Sequence, residues 1–224
     1  MLPEPPAPST MPTAPLLAEQ VVLLSLDDET GRPIGRLGMA PDLALAGALL
    51  MDLALAGRID TDRDRLWVAD DAPTWDPVLD AALGQLLEPE APGDARGAIM
   101  ILARDAGEAR HALLHRLVEA GMLRQVETNA LWLFRDTRHP KLDGAAAEDA
   151  RTRLRSLLLR EELPDPRDAL LLGLVRAAGL LPVIFTEAEL ARIQGWLELV
   201  TRLESLNRSL GAAVAAVRSA RTPG

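Results

Sequence analysis

Twice along the chain an apolar helical run ends in a glycine and passes into a short strand, a polar turn and a second strand that carries a tryptophan. Residues 53–59, LALAGRI, match 117–123, LVEAGML, and residues 65–70, RLWVAD, match 130–136, ALWLFRD, so that Trp67 and Trp132 stand in equivalent places. Gly57 and Gly121 supply the left-handed cap that ends a helix without a steric penalty. The repeated order of helix, cap and hairpin reads as a degenerate duplication. It predicts strands at 58–60 and 66–69 in the first unit, and in the second a turn at 127–129 followed by a strand at 130–134.

Around these units the apolar pattern is helical. Leu and Ala dominate it, Tyr is absent, and Phe134 and Phe185 are the only phenylalanines, a composition that favours helix over sheet. Residues 16–26 fit helix or strand, and the DDETGRP that follows them forms a turn. Apolar residues cover every side of the run 41–56, which predicts a buried helix. A helix over 76–87 is capped by Thr74 or Asp76, a Pro- and Gly-bearing linker spans 88–97, and a further helix carries 98–103. Residues 144–162 place apolar side chains at i, i+3 and i+4 with Arg outside, and Pro164 and Pro166 stop that helix. Three more helices are expected, at 168–178, 187–206 and 208–220, the second opened by a Thr186–Glu189 capping box. The expected fold is therefore mainly α, a helical bundle with surrounding amphipathic helices and two short β-hairpins in winged-helix-like units, forming a single domain over 15–224. Residues 1–14, MLPEPPAPSTMPTA, hold five prolines and almost no large apolar side chain, and are expected to be a disordered tail.

Charge and residue inventory remove several kinds of chemistry. With 33 acidic against 24 basic residues the net charge is −9, so nucleic acid and anionic lipid are repelled except at a local basic patch. Nucleic acid is not an expected partner. The basic residues are Arg with one exception, Lys141, which fits GC-rich coding. There is no Cys, so thiolate chemistry is excluded. His111 and His115 have the i, i+4 spacing of paired metal ligands, but Ala112 stands where a zinc protease needs Glu and no third ligand is indicated. They read as polar surface or interhelix residues, and no metal or other cofactor is expected. The carboxylates at 27–29 and around 70–80 read as caps and turn formers, so no catalytic residue is assigned. No apolar run makes a clean membrane span, since Arg176 and Pro182 interrupt 169–185, and no signal peptide is visible. The expected location is cytoplasmic, peripheral on the membrane.

Residues 71–83, DAPTWDPVLDAAL, resemble the DAPTxDxxLDxAL segment of the Golgi phosphoprotein 3 family, and 19–31, EQVVLLSLDDETG, resemble its EExxLLxLxDxxG. Residues 53–59 and 117–123, the strand 131–134 followed by Thr137, His139 and Pro140, and ALLLGLVRAAGLL at 169–181 resemble its other landmarks, in order, over roughly 16–220. The resemblance implies a helical domain with a protruding β-hairpin. It further implies a peripheral membrane protein that reads phosphatidylinositol 4-phosphate through a shallow basic pocket and links the membrane to cytosolic tails of glycosyltransferases. The family's pocket carries over poorly. Its tryptophan falls near Arg36 or Leu37, its first arginine on Ala46, and of its two arginines before the second helix one falls on Gly107 and the other is kept as Arg110. The basic N-terminal cluster is replaced by the Pro-rich tail. A charge-assisted contact to phosphate contributes roughly 1.5–3 kcal/mol, so these losses remove most of a modest affinity.

The expected headgroup-binding residues are therefore Arg110, Arg36 and Arg116. The 122–134 hairpin, with Trp132, Leu133 and Phe134, is the expected contact with lipid or with a second copy in a homo-oligomer. The arginine usage and the departures imply a bacterial, actinobacterial member whose membranes offer another anionic lipid. A competing expectation is that the scaffold serves as a small-molecule binder or enzyme in a bacterial biosynthetic pathway, with a deep pocket lined by Trp75, His111 and His115.

Overall fold

The run that is apolar on every side becomes the helix around which the chain is built. The computed structural model describes residues 15–34, 40–62, 65–89, 93–130, 134–142 and 144–206, with side chains described except at 128–130, 134–136 and 199–206. The helices are α1 (Leu17–Leu24), α2 (Ala40–Leu55), α3 (Pro77–Leu86), α4 (Ala95–Arg104), α5 (Ala106–Glu119), α6 (Ala145–Leu159), α7 (Pro166–Ala177), α8 (Leu181–Ile184) and α9 (Glu187–Leu206). The strands are β1 (Ile59–Thr61), β2 (Leu66–Val68), β3 (Val126–Ala130) and β4 (Phe134–Arg138). The fold is mainly α, with two small antiparallel hairpins. The proposed tail, Arg36, Trp132, Leu133 and the last expected helix lie outside the described residues.

α2 packs against α1, α3, α4, α5 and α7. Its Leu45, Leu49 and Leu53 meet Leu17 and Leu24 of α1, Leu102 of α4, Leu113 and Leu117 of α5, and Leu171 and Val175 of α7 in one buried cluster. Burying a Leu side chain contributes roughly 1.5–3 kcal/mol, so this cluster carries the fold. The ambiguous segment at 16–26 becomes a helix because its first donors find carboxylates. Leu16 N donates to Glu19 Oε2 at 2.8 Å, while Leu17 N and Ala18 N donate to Asp52 Oδ1 and Oδ2 of α2, each at 3.0 Å. A strand there would leave buried Asp52 without these partners.

Helix ends follow the side chains that cap them. Asp76, rather than Thr74, caps α3, accepting from Val78 N and Leu79 N. Asp165 caps α7, which starts at Pro166, two residues earlier than its apolar pattern suggests, because proline suits the first helical position. The expected capping box opens α9, where Thr186 N and Oγ1 donate to Glu189 Oε2 and Glu189 N returns a bond to Thr186 Oγ1. Gly57 and Gly121, at φ 76 and 71, end α2 and α5.

The first hairpin pairs Ile59 with Val68 and Asp60 with Trp67, close to expectation. The second departs from it. Residues 127–129 lie within β3, which pairs Val126 with Arg138 and Ala130 with Phe134. Trp67 is in mid-strand, whereas Trp132 lies outside the described residues. The polar turn signal misleads because a two-stranded ribbon has no buried face to set its register. Below the strands the pairing continues through a bridge between Leu123 and Lys141. Among the described residues no helix is long and apolar enough to cross a membrane.

Candidate anion-binding cleft

Where α1, α2 and α5 converge, the start of α2 leaves a narrow crevice whose water-accessible volume is about 20 Å³. Val21, Val22 and Ser25 of α1, Ile34 beyond the following turn, and Pro41 and Leu45 of α2 line it, with Ala178 and Leu180 closing it and Arg110 of α5 as its charged group. Arg110 NH2 donates to Asp42 Oδ1 at 2.5 Å, with both side chains about one-third exposed. Asp42 lies in the first turn of α2, where the helix dipole favours negative charge. The carboxylate therefore occupies the place where an external anion would be stabilised.

Arg116 lies six residues further along α5 in a different setting. Its NH1 donates to Asp76 Oδ2 at 2.5 Å, and its Nε lies 3.0 Å from Glu19 Oε1, a charge contact rather than an aligned hydrogen bond. It ties the first turn of α1 to the cap of α3. The geometry brings Arg110 into the cleft and places Arg116 in this brace. Phe134 opens β4.

A second cleft, about 900 Å³ including its wide mouth, shares Ile34 with the first and is lined by Asp28, Glu148, Arg151 and Arg155 among others. Asp28 is the hub of this region. It accepts two bonds from Arg151, at 2.5 and 3.0 Å, and one from Lys141, whose Nζ also donates to Leu26 O at 3.2 Å. The Arg151 guanidinium, with Lys141 behind it, holds the Asp28 carboxyl down at about 2, against desolvation. Burial pushes the Lys141 ammonium down, opposed by Asp28. Next to this hub the His139 N–H donates to Gly31 O at 3.1 Å. A Cβ on Gly31, at φ 65, would come within 2.1 Å of Pro140 N and 2.2 Å of His139 C. The 26–33 turn therefore fixes the root of the second hairpin. Burial lowers the His139 pKa, and the charge of His111 lowers it further.

Neither cleft is lined by Trp75, His111 or His115, the residues expected around a small-molecule pocket. His115 Nδ1 lies 3.5 Å from Glu119, and both are well exposed. Among the described residues no three His, Cys, Asp or Glu side chains form a metal-sized group. In sequence Asp28 reads as a turn former and Asp42 as part of the first turn of the buried helix, and the pairing of neither is visible there. An acid in the first turn of a helix was visible, and so was a single Lys in a chain that otherwise uses Arg.

The family model for Golgi phosphoprotein 3 (GPP34) matches residues 17–222. The chain belongs to this family. The match begins at the first residue of α1 and takes in both hairpins and the cleft. In this Golgi phosphoprotein 3 family member the landmark segments recognised in sequence fall at structural joints. DAPTWDPVLDAAL holds the cap and first turns of α3, EQVVLLSLDDETG holds α1 and the turn that grips the hairpin root, and Thr137, His139 and Pro140 lie on that root.

Proposed function

We propose that this protein is a peripheral membrane or adaptor protein that takes an anionic lipid headgroup at the Arg110 cleft. The observation that carries the reading is the Arg110–Asp42 pair at the start of α2, in which the chain's own carboxylate holds the anion position. A headgroup phosphate offers the same charge with more acceptor oxygens. It would displace Asp42, pair with Arg110 and receive the α2 N-terminal dipole. Arg36, just before α2 in sequence, is a candidate second cation. Arg116 acts in this reading as the brace between α1 and the cap of α3, not as a ligand. The 122–134 hairpin, with Trp132, Leu133 and Phe134, would add contact with the bilayer interface or with a second copy.

The retained pocket arginine is one of several in the family pattern, so the preferred lipid is another anionic species rather than a phosphoinositide alone. Flotation of the purified protein with vesicles of neutral lipid, anionic glycerophospholipid and phosphoinositide tests this. Binding to anionic vesicles that weakens with salt is expected. Failure to float with any anionic composition would remove the membrane reading and leave the small-molecule alternative.

A further inference from the structure

Lys141 is the one lysine in a chain whose other basic residues are all arginine, and it stands where an arginine would not fit. Its side chain is only 3 % exposed. The Nζ donates to Leu26 O at 3.2 Å and to Asp28 Oδ1, while Asp28 already holds the Arg151 guanidinium across both of its oxygens. A lysine ammonium is compact, and its three donors rotate to suit separate acceptors, whereas a guanidinium is flat, wider and fixed in direction. Two guanidiniums on one carboxylate, one of them buried, would overpack this corner.

The ammonium acts on the second hairpin itself. Lys141 pairs with Leu123, which is fully buried, and beside this rung Arg124 N donates to Pro140 O at 2.9 Å and Leu142 N to Met122 O at 3.0 Å. Among the described residues β3 and β4 pair with each other and with no third strand. A two-stranded ribbon has little stability of its own, so its direction is set at the root.

Two rungs join that root to the 26–33 turn, His139 N to Gly31 O and the Lys141 ammonium to Leu26 O and Asp28. The turn is closed on itself, with Asp27 N donating to Arg32 O and Gly31 N to Asp27 O, each at 2.9 Å, and Ile34 N to Ser25 O at 2.7 Å. Arg151 anchors it to α6 through Asp28. Ser25 and Ile34, which close its base, line the Arg110 cleft. One hydrogen-bonded turn therefore carries the wall of the cleft at one end and the root of the hairpin at the other.

We infer that Lys141 is a positioning residue, which fixes the second hairpin at a set angle to the Arg110 cleft so that the two meet one anionic surface together. The use of that angle rests on the membrane reading above, whereas the angle itself does not. Two contacts held on one rigid body reinforce each other without any new contact, and a hairpin free to swing loses that gain. The chain has no cysteine, so nitroxide labels can be placed in the full-length protein at Glu108→Cys, two residues before Arg110, and at Glu127→Cys on β3. Pulsed electron resonance should give a narrow distance distribution for this pair, broadened by Lys141→Arg as much as by Lys141→Met. Asp28→Asn, at a half-exposed position, is the milder variant and should broaden it too. A second pair, Glu108→Cys with Gln194→Cys on α9, should stay narrow throughout and verifies that the helical body is folded. Affinity of the unlabelled Lys141 variants for vesicles of phosphatidylglycerol in phosphatidylcholine should fall by about tenfold or more. A Lys141→Arg protein with the parent's distances would overturn the inference, and so would broadened distances with unchanged vesicle affinity. If the parent protein binds no anionic vesicle, the membrane reading falls, and the distances alone decide whether Lys141 sets the hairpin.

Discussion

Two glycines with nearly the same backbone show how differently single residues can be constrained. Gly31 and Gly121 both have positive φ, but a Cβ on Gly31 strikes the His139–Pro140 peptide, whereas one on Gly121 meets nothing within 4 Å. Left-handed strain costs roughly 1–2 kcal/mol and overpacking a further 1–3. Gly121→Ala should therefore lower stability by about 1 kcal/mol, and Gly31→Ala by roughly 2–5 kcal/mol, in urea unfolding. Equal losses would show that the turn does not grip the hairpin root. The C-cap at Gly121 was legible in sequence, because a glycine closing an apolar run has a local cause. The tight approach at Gly31 was not, because its partner lies more than a hundred residues away.

Asp52 adds a pH dependence at the same scale. Desolvation raises its pKa to about 6, against the two backbone bonds from α1 that favour the carboxylate. The unfolded value is lower, so between about pH 4 and 6 the folded protein holds a proton that the unfolded chain has released. Stability from this group therefore falls as pH rises through that window, by an order of about 3 kcal/mol in total. Wild type should gain stability relative to Asp52→Asn when the pH is lowered from 7 to 4.5. A gap that is constant with pH would contradict the buried carboxylate. Asp28 works in the opposite sense, since its depressed pKa gives stability that is present above about 4 and lost as pH falls towards 2.

Among the elements, α1 was ambiguous as a sequence because its apolar residues run without a clear period. Its helical state is decided by acceptors from elsewhere, Asp52 on α2 and the Glu19–Arg116–Asp76 brace to α5 and α3. Arg116→Gln would leave Glu19 and Asp76 without their shared cation in a mostly buried setting. Discounted for partial exposure, the loss should be about 1–3 kcal/mol. The folded fraction should keep its vesicle affinity, and a loss of affinity without loss of stability would instead make Arg116 a headgroup ligand. The first hairpin was readable almost to the residue, since Ile59 and Leu66 anchor it in the core. The second was misplaced by a few residues because its polar strands bury little that sets a register. Family landmarks were more legible than either hairpin, since each marks a cap, a turn or a joint whose chemistry is local.

For the whole molecule, the net charge of −9 opposes any anionic surface, so in the proposed reading membrane affinity would have to come from the cleft and the hairpin against a repelling field. That field should make binding weak, and because salt screens the repulsion along with the Arg110 contact, it should blunt the salt dependence rather than steepen it. The candidate site was half legible. Arg110 could be identified by resemblance, whereas its partner could not, because pairing between α2 and α5 is a consequence of packing. The central claim is that Asp42 and an external headgroup compete for Arg110. The most direct measurement is a double-mutant cycle on anionic-vesicle affinity with Asp42→Asn, Arg110→Gln and the pair. Asp42→Asn is predicted to tighten binding roughly 10-fold, as expected for release of one charge-assisted bond, and to have no effect once Arg110 is Gln. Equal tightening in both backgrounds, which a general reduction of negative charge would produce, would contradict the account.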